Sequence, residues 1–245
     1  MSHRTAEDQL ARAQMTPSDR RPIIAIDGPA GSGKSTTART LAKRLGFTYL
    51  DTGAFYRALT VKILDAGVEP ENETIVVQQA ESTTILIKPT PEGDRVFLDD
   101  RDVTTQIRAP HVTNAIAPIS SNPRVRAIMV NRQREIGRSG GVVMEGRDIG
   151  TVVFPNADLK IFMSASIDER AKRRHLELQK QGVERDFAIL REEIAARDEK
   201  DTKRSAGPLR PADDAIMLDT TDMSIEEQVE FIIRALQKKF PMFVR

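Results

Sequence analysis

The sequence predicts an α/β fold in which helices cover both faces of a parallel sheet. Short apolar strands alternate with helical segments along most of the 245 residues, which is typical of parallel sheets buried on both faces. The first strand, at 23–27, runs through a glycine-rich turn into a helix at 34–45. Ligands of such sheets bind at the carboxyl ends of the strands, so the residues that follow each strand are the candidates for function.

The other elements are predicted from apolar runs, caps and stop signals. Glycine stops the helices that end near 45 and 65, and Asn122 with Pro123 is typical of a helix start. In chain order, the sequence predicts a strand at 47–50, helices at 54–65, 71–82 and 122–138, strands at 140–145 and 158–163, helices at 166–181 and 186–203, a strand at 215–218 and a final helix from 224.

One stretch with strand-type sequence interrupts this alternation. Residues 84–88 and 95–98, separated by a turn at 89–94, predict a β-hairpin, and a further short strand is expected near Val103. Because the hairpin lies inside an otherwise alternating pattern of strands and helices, we expect a small inserted subdomain with an antiparallel sheet.

The turn after the first strand carries the most specific motif. Gly28 to Ser35 fits G-x-x-x-x-G-K-[ST] between a strand and a helix, as this motif requires. Its backbone N–H groups and the helix N-terminus favour phosphate, Lys34 can reach the β- and γ-phosphates, and the Ser35 hydroxyl can bind Mg²⁺. A glycine-rich turn with a capping serine is the alternative. The contacts predicted for a nucleoside triphosphate are Gly28, Pro29, Ala30, Gly31, Ser32, Gly33, Lys34, Ser35 and Thr36.

Composition excludes several classes of protein. No apolar run approaches the ~18 residues of a membrane span, and the start lacks the apolar core of a secretory signal, so we expect a mobile polar leader at 1–22. The absence of cysteine excludes disulfides and fits a cytoplasmic location. The formal net charge of +1 gives no global reason to expect nucleic acid, and the three histidines have no metal-binding spacing.

Polar residues follow two more of the predicted strands. Thr52 and Arg57 come after one of them, and Arg147 and Asp148 come after another, flanked by glycines. An arginine can bind phosphate through two parallel hydrogen bonds, and an aspartate accepts from amino groups. These residues alone leave two alternatives open, which are a helix cap with a solvated arginine and a surface ion pair in a turn.

Two helices carry further candidates. Arg124 and Arg126 lie two residues apart, so only one of them can face a given site. Arg197, Asp201 and Arg204 are spaced i, i+4 and i+7 and share one stripe of a helix. A salt-bridged face in contact with solvent would have the same spacing.

A dense cationic cluster occupies the helix at 166–181. Four positive charges lie within five residues, and their mutual repulsion is easier to understand if a polyphosphate neutralises them. A nucleic-acid surface is the alternative, although no aromatic residues interleave the cluster. The cluster consists of Arg170, Lys172, Arg173 and Arg174.

Together these segments resemble the bacterial cytidylate kinases, a branch of the nucleoside monophosphate kinases. The resemblance runs from about residue 23 to the C-terminal helix, and it is carried by IDGPAGSGKST, YLDTGAFYRAL, PRVRAIMVNRQR, EGRDIGTVVFPNADLKIFM, ERAKRRHLELQ and RDEKDTKR. It implies a P-loop NTPase core with a five-stranded parallel sheet inside a kinase domain at 23–245. A monophosphate-binding insert at about 54–120 and a short helical lid at about 167–204 would complete that domain.

The resemblance also implies a reaction, the transfer of the γ-phosphoryl group of ATP to CMP or dCMP with Mg²⁺. The implied enzyme is a cytoplasmic monomer of pyrimidine metabolism that binds neither nucleic acid nor membrane. Carried over by position, the acceptor contacts are Thr52, Arg57, Arg147 and Arg204 at the phosphate, Asp148 and Arg126 at the cytosine, and Arg197 and Asp201 at the ribose. The residues implied in catalysis are Lys34, Arg147 and Arg204.

Two positions depart from the family pattern. Ala117 stands where some relatives place a serine against the base, and Lys200 stands where an additional lid arginine is common. Lysine keeps the charge but loses the planar fork of arginine. The alternatives are a P-loop kinase for another small acceptor such as UMP, a GTPase switch, for which the Asn-Lys-x-Asp guanine signature is missing, and a nucleic-acid-binding protein.

Overall fold

The computed structural model describes residues 21–90, 93–180 and 182–241. Besides a 3₁₀ turn at Gln106–Arg108 and a π-helix at Ile149–Val153, it contains strands and helices that we number in chain order. These are β1 (Ile23–Asp27), α1 (Lys34–Leu45), β2 (Thr48–Asp51), α2 (Thr52–Asp65), α3 (Glu73–Ser82), β3 (Ile85–Thr90), β4 (Gly93–Leu98), β5 (Arg101–Asp102), α4 (Pro110–Ser121), α5 (Pro123–Gly137), β6 (Val142–Gly146), β7 (Leu159–Ser164), α6 (Ile167–Lys180), α7 (Phe187–Lys203), β8 (Ile216–Asp219) and α8 (Ile225–Lys239).

Five strands form one parallel sheet in the order β2-β6-β1-β7-β8. β1 lies in the middle, pairs in parallel with β6 and β7, and is buried along its whole length. A separate antiparallel sheet contains β3, β4 and β5. The predicted α/β fold with a five-stranded parallel sheet and a small antiparallel sheet is therefore confirmed.

Alternate residues of β1 pack against two different hydrophobic cores. Ile24 and Ile26 contribute to the core that α1 and α8 cover. Ile23 and Ala25 contribute to the core that α2 and α5 cover on the opposite face. This two-sided burial explains why the strand is a continuous apolar run rather than an alternating one.

The inserted region differs in detail from the prediction. β3 and β4 extend into the predicted turn, so that Lys88 pairs with Arg95 and Pro89 with Asp94, while residues 91–92 of that turn lie outside the described residues. The third strand precedes Val103 by one residue. Helix α4 received no prediction, because Pro118 in its interior lacks an N–H donor and normally ends a helix.

The packed structure begins inside the predicted leader. Pro22 is buried, and the Arg21 guanidinium lies 4.8 Å from the centre of the Phe47 ring and donates to the Gly46 carbonyl. The rest of the leader, at 1–20, lies outside the described residues. None of the helices in the described part of the chain combines the length and apolarity that a membrane span needs.

The predicted cap of α5 is present. The Asn122 side chain accepts hydrogen bonds from the backbone N–H groups of Arg124 at 3.0 Å and Val125 at 3.1 Å. We expect Asn122→Ala to lower the free energy of unfolding by about 1 kcal/mol, because two N–H groups lose their acceptor. Urea denaturation measures this loss. Ser121→Ala, one residue earlier, is the control and should stay within about 0.5 kcal/mol; equal losses would contradict the capping role.

Candidate active site

The glycine-rich loop between β1 and α1 forms a cradle. Gly28 has a φ angle of 149° and Gly33 one of 92°. Residues that carry a Cβ rarely adopt such backbone angles. A Cβ at Gly28 would also overlap the Met163 carbonyl oxygen. Inside the loop, the Ser32 hydroxyl donates to the Pro29 carbonyl at 3.0 Å. The loop therefore fits a ligand that approaches the backbone closely.

Lys34 is bent back over this cradle. Its Nζ donates to the Pro29 carbonyl at 2.6 Å and lies 3.4 Å from the Ser32 hydroxyl, and the side chain is buried. Burial lowers the pKa of Lys34, and the nearby Arg147 guanidinium lowers it further. A charged ammonium held in this position is stabilised when an anion enters the cradle. Ser35, next along the helix, is exposed at the first turn.

Asp27 lies beside Lys34 at the carboxyl end of β1. Its two carboxylate oxygens accept hydrogen bonds from the backbone N–H groups of Ile149 and Gly150, each at 2.7 Å. Burial raises the pKa of Asp27 to about 6, although these hydrogen bonds and Lys34 oppose the shift. Asp27 was not predicted as a site residue, although a carboxylate that ends an otherwise apolar buried strand is a signal visible in the sequence.

Glu145, near the end of β6, is a second buried carboxylate for which no role was predicted. It accepts from the Tyr49 hydroxyl at 2.7 Å. Burial raises the pKa of Glu145, and Asp51 adds to this, whereas Lys34 and a hydrogen bond with Ser35 lower it. The Ser35 hydroxyl and the Glu145 carboxylate are hard oxygen donors next to the cradle, which is the type of ligand that Mg²⁺ prefers. The residues present therefore fit this ion.

The candidate base-reading residues form a buried ion pair. Arg126 donates to one oxygen of Asp148, and Arg204 lies 3.4 Å from the other. The Arg126 guanidinium also lies 5.6 Å from the centre of the Tyr56 ring. Arg124, by contrast, is exposed, so of the two neighbouring arginines only Arg126 points inward. Arg126, Asp148 and Arg204 are distant in the chain, and the fold brings all three together.

The remaining candidate arginines converge beside this pair. The Arg147 Nε is 2.8 Å from Asp201, and Arg57 donates to the Thr113 hydroxyl at 2.9 Å. Burial lowers the pKa of Arg57, and it lowers that of Arg197 to about 10, with Arg147 acting in the same direction on both. Half-buried guanidinium groups that repel each other make an anion-binding site. Thr113 was not predicted, because α4 itself was not.

Three further positions named from the sequence are Thr52, Ala117 and Lys200. The Thr52 hydroxyl donates to the Glu145 carbonyl at 2.7 Å at the start of α2. Ala117 is exposed on α4, and its carbonyl accepts from the Ser121 hydroxyl at 2.8 Å. Lys200 is exposed on α7.

The cationic cluster of α6 divides into two parts. Arg170 is buried, lies 2.6 Å from Asp198 and donates to the Ala30 carbonyl in the cradle at 3.2 Å. Arg173 donates to the Thr220 carbonyl at 2.6 Å beside the same loop. Acidic partners thus offset part of the repulsion that the sequence suggested, and two of the cations lie next to the glycine-rich cradle. The other members, paired with acidic residues of their own helix, are Lys172 and Arg174.

Comparisons with a family model and with curated proteins all point to the same family. The family described as cytidylate kinase matches residues 24–238. The cytidylate kinase of Anoxybacillus flavithermus is 50% identical over 216 residues, which is 88% of this chain and 96% of that protein. That of Geobacillus kaustophilus is 49% identical over 220 residues, covering 90% and 98%. That of an Exiguobacterium species is 48% identical over 215 residues, covering 88% and 96%. The chain belongs to the cytidylate kinase family.

Proposed function

We propose that this protein transfers the γ-phosphoryl group of ATP to CMP or dCMP, giving ADP and CDP or dCDP. The observation that carries the proposal is the buried pair of Arg126 and Asp148 next to the arginine cluster. Asp27 at the end of β1 pairs with Gly146 at the end of β6. The cradle that follows β1 and the loop that follows β6 are therefore neighbours, so donor and acceptor would meet at one edge of the sheet.

The donor side supplies preorganised positive charge. Phosphoryl transfer needs positioning and neutralisation of charge more than covalent chemistry. In the proposed complex, Lys34 leaves the Pro29 carbonyl and donates to the β- and γ-phosphates, while the backbone of the cradle surrounds them. Ser35 and Glu145 would hold Mg²⁺, which would supply further neutralisation of the phosphate charge. Arg170, already beside the cradle, covers the phosphates from α6.

The acceptor side separates recognition of the base from that of the phosphate. Asp148 offers carboxylate oxygens to the exocyclic amino group of cytosine, whereas uracil presents a carbonyl there and is repelled. Arg126 holds the Asp148 carboxylate in place and donates to the acceptor atoms of the base. The phosphate lies against Arg57 and Arg147, with the Thr52 hydroxyl as a further donor. Arg204 would contact the same phosphate, and Arg197 with Asp201 would hold the ribose hydroxyls.

One assay tests the proposal directly. Purified protein is given ATP and Mg²⁺ together with CMP, dCMP, UMP or AMP, and formation of ADP is followed by a coupled reaction. We expect turnover with CMP and dCMP, weaker turnover with UMP and little with AMP. A preference for UMP or AMP would favour a kinase for another acceptor, and the absence of turnover with all four would reject the proposal.

Lys34→Ala tests the donor site. We expect kcat to fall roughly 10²-fold or more, because one preorganised charge at the transferred group is lost. The fold should remain intact, since the ammonium is buried at a cost that alanine does not carry. Circular dichroism and steady-state kinetics measure the two effects. Lys43→Ala, exposed in the last turn of the same helix, is the matched control and should leave kcat unchanged.

Asp148→Asn tests base choice. An amide can donate as well as accept, so the preference for CMP over UMP should weaken. The ratio of the two kcat/KM values should fall by a factor equivalent to about 1–3 kcal/mol of transition-state stabilisation. Asp222→Asn, the same change at an exposed position, is the control. Because Asp148 also holds Arg126, the folded fraction is measured first. An unchanged CMP/UMP ratio in folded protein would show that Asp148 does not read the base.

Arg57→Met, Arg147→Met and Arg204→Met test the acceptor-phosphate clamp. Each change should weaken CMP binding by ~2 kcal/mol or more, because a buried phosphate that lacks one arginine keeps most of its desolvation cost. Binding of an ATP analogue should change far less, and the losses should not add in the triple variant, since all three act on one ligand. Arg44→Met, remote from the site and paired with Glu226, is the control.

Calorimetric titration of each variant with CMP and, separately, with the ATP analogue decides this prediction. Equal weakening of both ligands, or strictly additive losses, would contradict a common clamp.

A further inference from the structure

Asp27 makes contacts that the proposed reaction does not use. It is the last residue of β1 and is only 5% exposed. Its Oδ1 accepts from the Ile149 N–H and its Oδ2 from the Gly150 N–H, both at 2.7 Å. These bonds connect positions more than 120 residues apart in the chain, and they link the strand that precedes the donor cradle to the loop that follows β6.

The backbone amides of Ile149 and Gly150 stand at the start of a helical turn in that loop. They begin the π-helix Ile149–Val153, directly after Asp148. The first N–H groups of any helix have no partner inside the helix, and the Asp148 side chain does not cap this one. Backbone bonds from residues 152 and 153 to the Asp148 carbonyl close the turn. π-helical turns are rare and occur frequently at functional sites. Because the Asp148 side chain does not cap this turn, its first N–H groups need an acceptor from elsewhere in the chain.

Space around the contact is tight. A Cβ added at Gly150 would lie 3.4 Å from the Asp27 carboxylate and 3.2 Å from the Lys160 side chain. The positive charge of Lys34 also attracts the Asp27 carboxylate. The carboxylate is therefore held between the two halves of the site, and small movements of the 148–150 backbone would break its hydrogen bonds.

We infer that Asp27 is a positioning residue that holds the backbone at 148–150, so that Asp148 is aimed at the acceptor's base and Arg147 at its phosphate. This inference rests on the proposed function. A carboxylate suits the task because two oxygens serve two separate N–H donors, whereas the amide of asparagine offers one acceptor and would place its own NH₂ against the second donor. The cost is a buried negative charge, which the raised pKa of about 6 reflects.

Asp27→Asn is the test, with Asp158→Asn as the matched control. Asp158 also accepts a backbone N–H, that of Ile23 at 2.8 Å, but at the opposite end of β1. We expect Asp27→Asn to raise KM for CMP about tenfold and to reduce the preference for CMP over UMP, which corresponds to the loss of one buried hydrogen bond. KM for ATP should change less than twofold, and Asp158→Asn should change none of these quantities.

Amide hydrogen exchange gives a readout that does not depend on activity. In Asp27→Asn the amides of Ile149 and Gly150 should exchange at least tenfold faster than in the wild type, while those of β1 keep their protection. A general loss of stability would instead raise exchange throughout the sheet. Asp27→Ser, which adds no bulk and removes the charge, takes the place of the asparagine variant should the latter fail to fold, and the same pattern is expected from it.

Two results would overturn the inference. One is a changed KM for ATP or a changed Mg²⁺ requirement with an unaltered KM for CMP, since Asp27 would then belong to the donor site. The other is unchanged exchange at Ile149 and Gly150. Failure of the wild type to phosphorylate CMP would reject the proposed function, and with it the inference that Asp27 positions Arg147 and Asp148 toward the acceptor. If the wild type is active but Asp27→Asn does not raise KM for CMP more than KM for ATP, only the role of Asp27 is rejected.

Discussion

The parallel pairing of β1 with β6 is the constraint on which the rest of the structure depends. It places Asp27 opposite Gly146, so that the two loops that follow these strands leave the sheet side by side. One loop becomes the cradle around Lys34, and the other carries Arg147 and Asp148. Because the continuous apolar run of β1 is packed on both faces, neither strand can slip in register without exposing core residues. The core thus fixes the distance between the proposed donor and acceptor sites.

Electrostatics at the site work against stability. Burial lowers the pKa values of Lys34, Arg57 and Arg197, which means that their charges are costly in the free protein. A sequence optimised for stability alone would replace them by apolar residues. Their retention is understandable if nucleotide phosphates offset the repulsion when they bind, and anion binding would then increase the stability of the fold.

The sequence predicted those parts of the fold and site that have a periodic or capped signature. The strand, cradle and helix at 23–45 follow from an apolar run, glycines and Lys34. Helical spacing indicates only that one of Arg124 and Arg126 can face the site, and the choice of Arg126 came from the family resemblance. Helix α4 was not predicted because of Pro118 in its interior, and Thr113 on that helix was therefore not predicted as a site residue. The π-helix has no sequence periodicity of its own. Asp27 could not be distinguished from an ordinary strand end, because its partners lie more than 120 residues away.

The carboxylates of the acceptor side serve the free protein as well as the proposed complex. Asp148 holds Arg126 and lies near Arg204, and Asp201 holds Arg147, so each arginine is oriented before any phosphate arrives. Although burial works the other way, Arg147 holds the pKa of Asp201 below its usual range, which keeps this carboxylate ionised. In the proposed complex the acceptor phosphate takes over Arg147 and Arg204, which would free one lone pair on Asp201 for a hydroxyl donor and one on Asp148 for an amino donor. On the proposed assignment, binding of the phosphate would prepare recognition of the base and sugar, and an acceptor that lacks the phosphate would leave these carboxylates occupied.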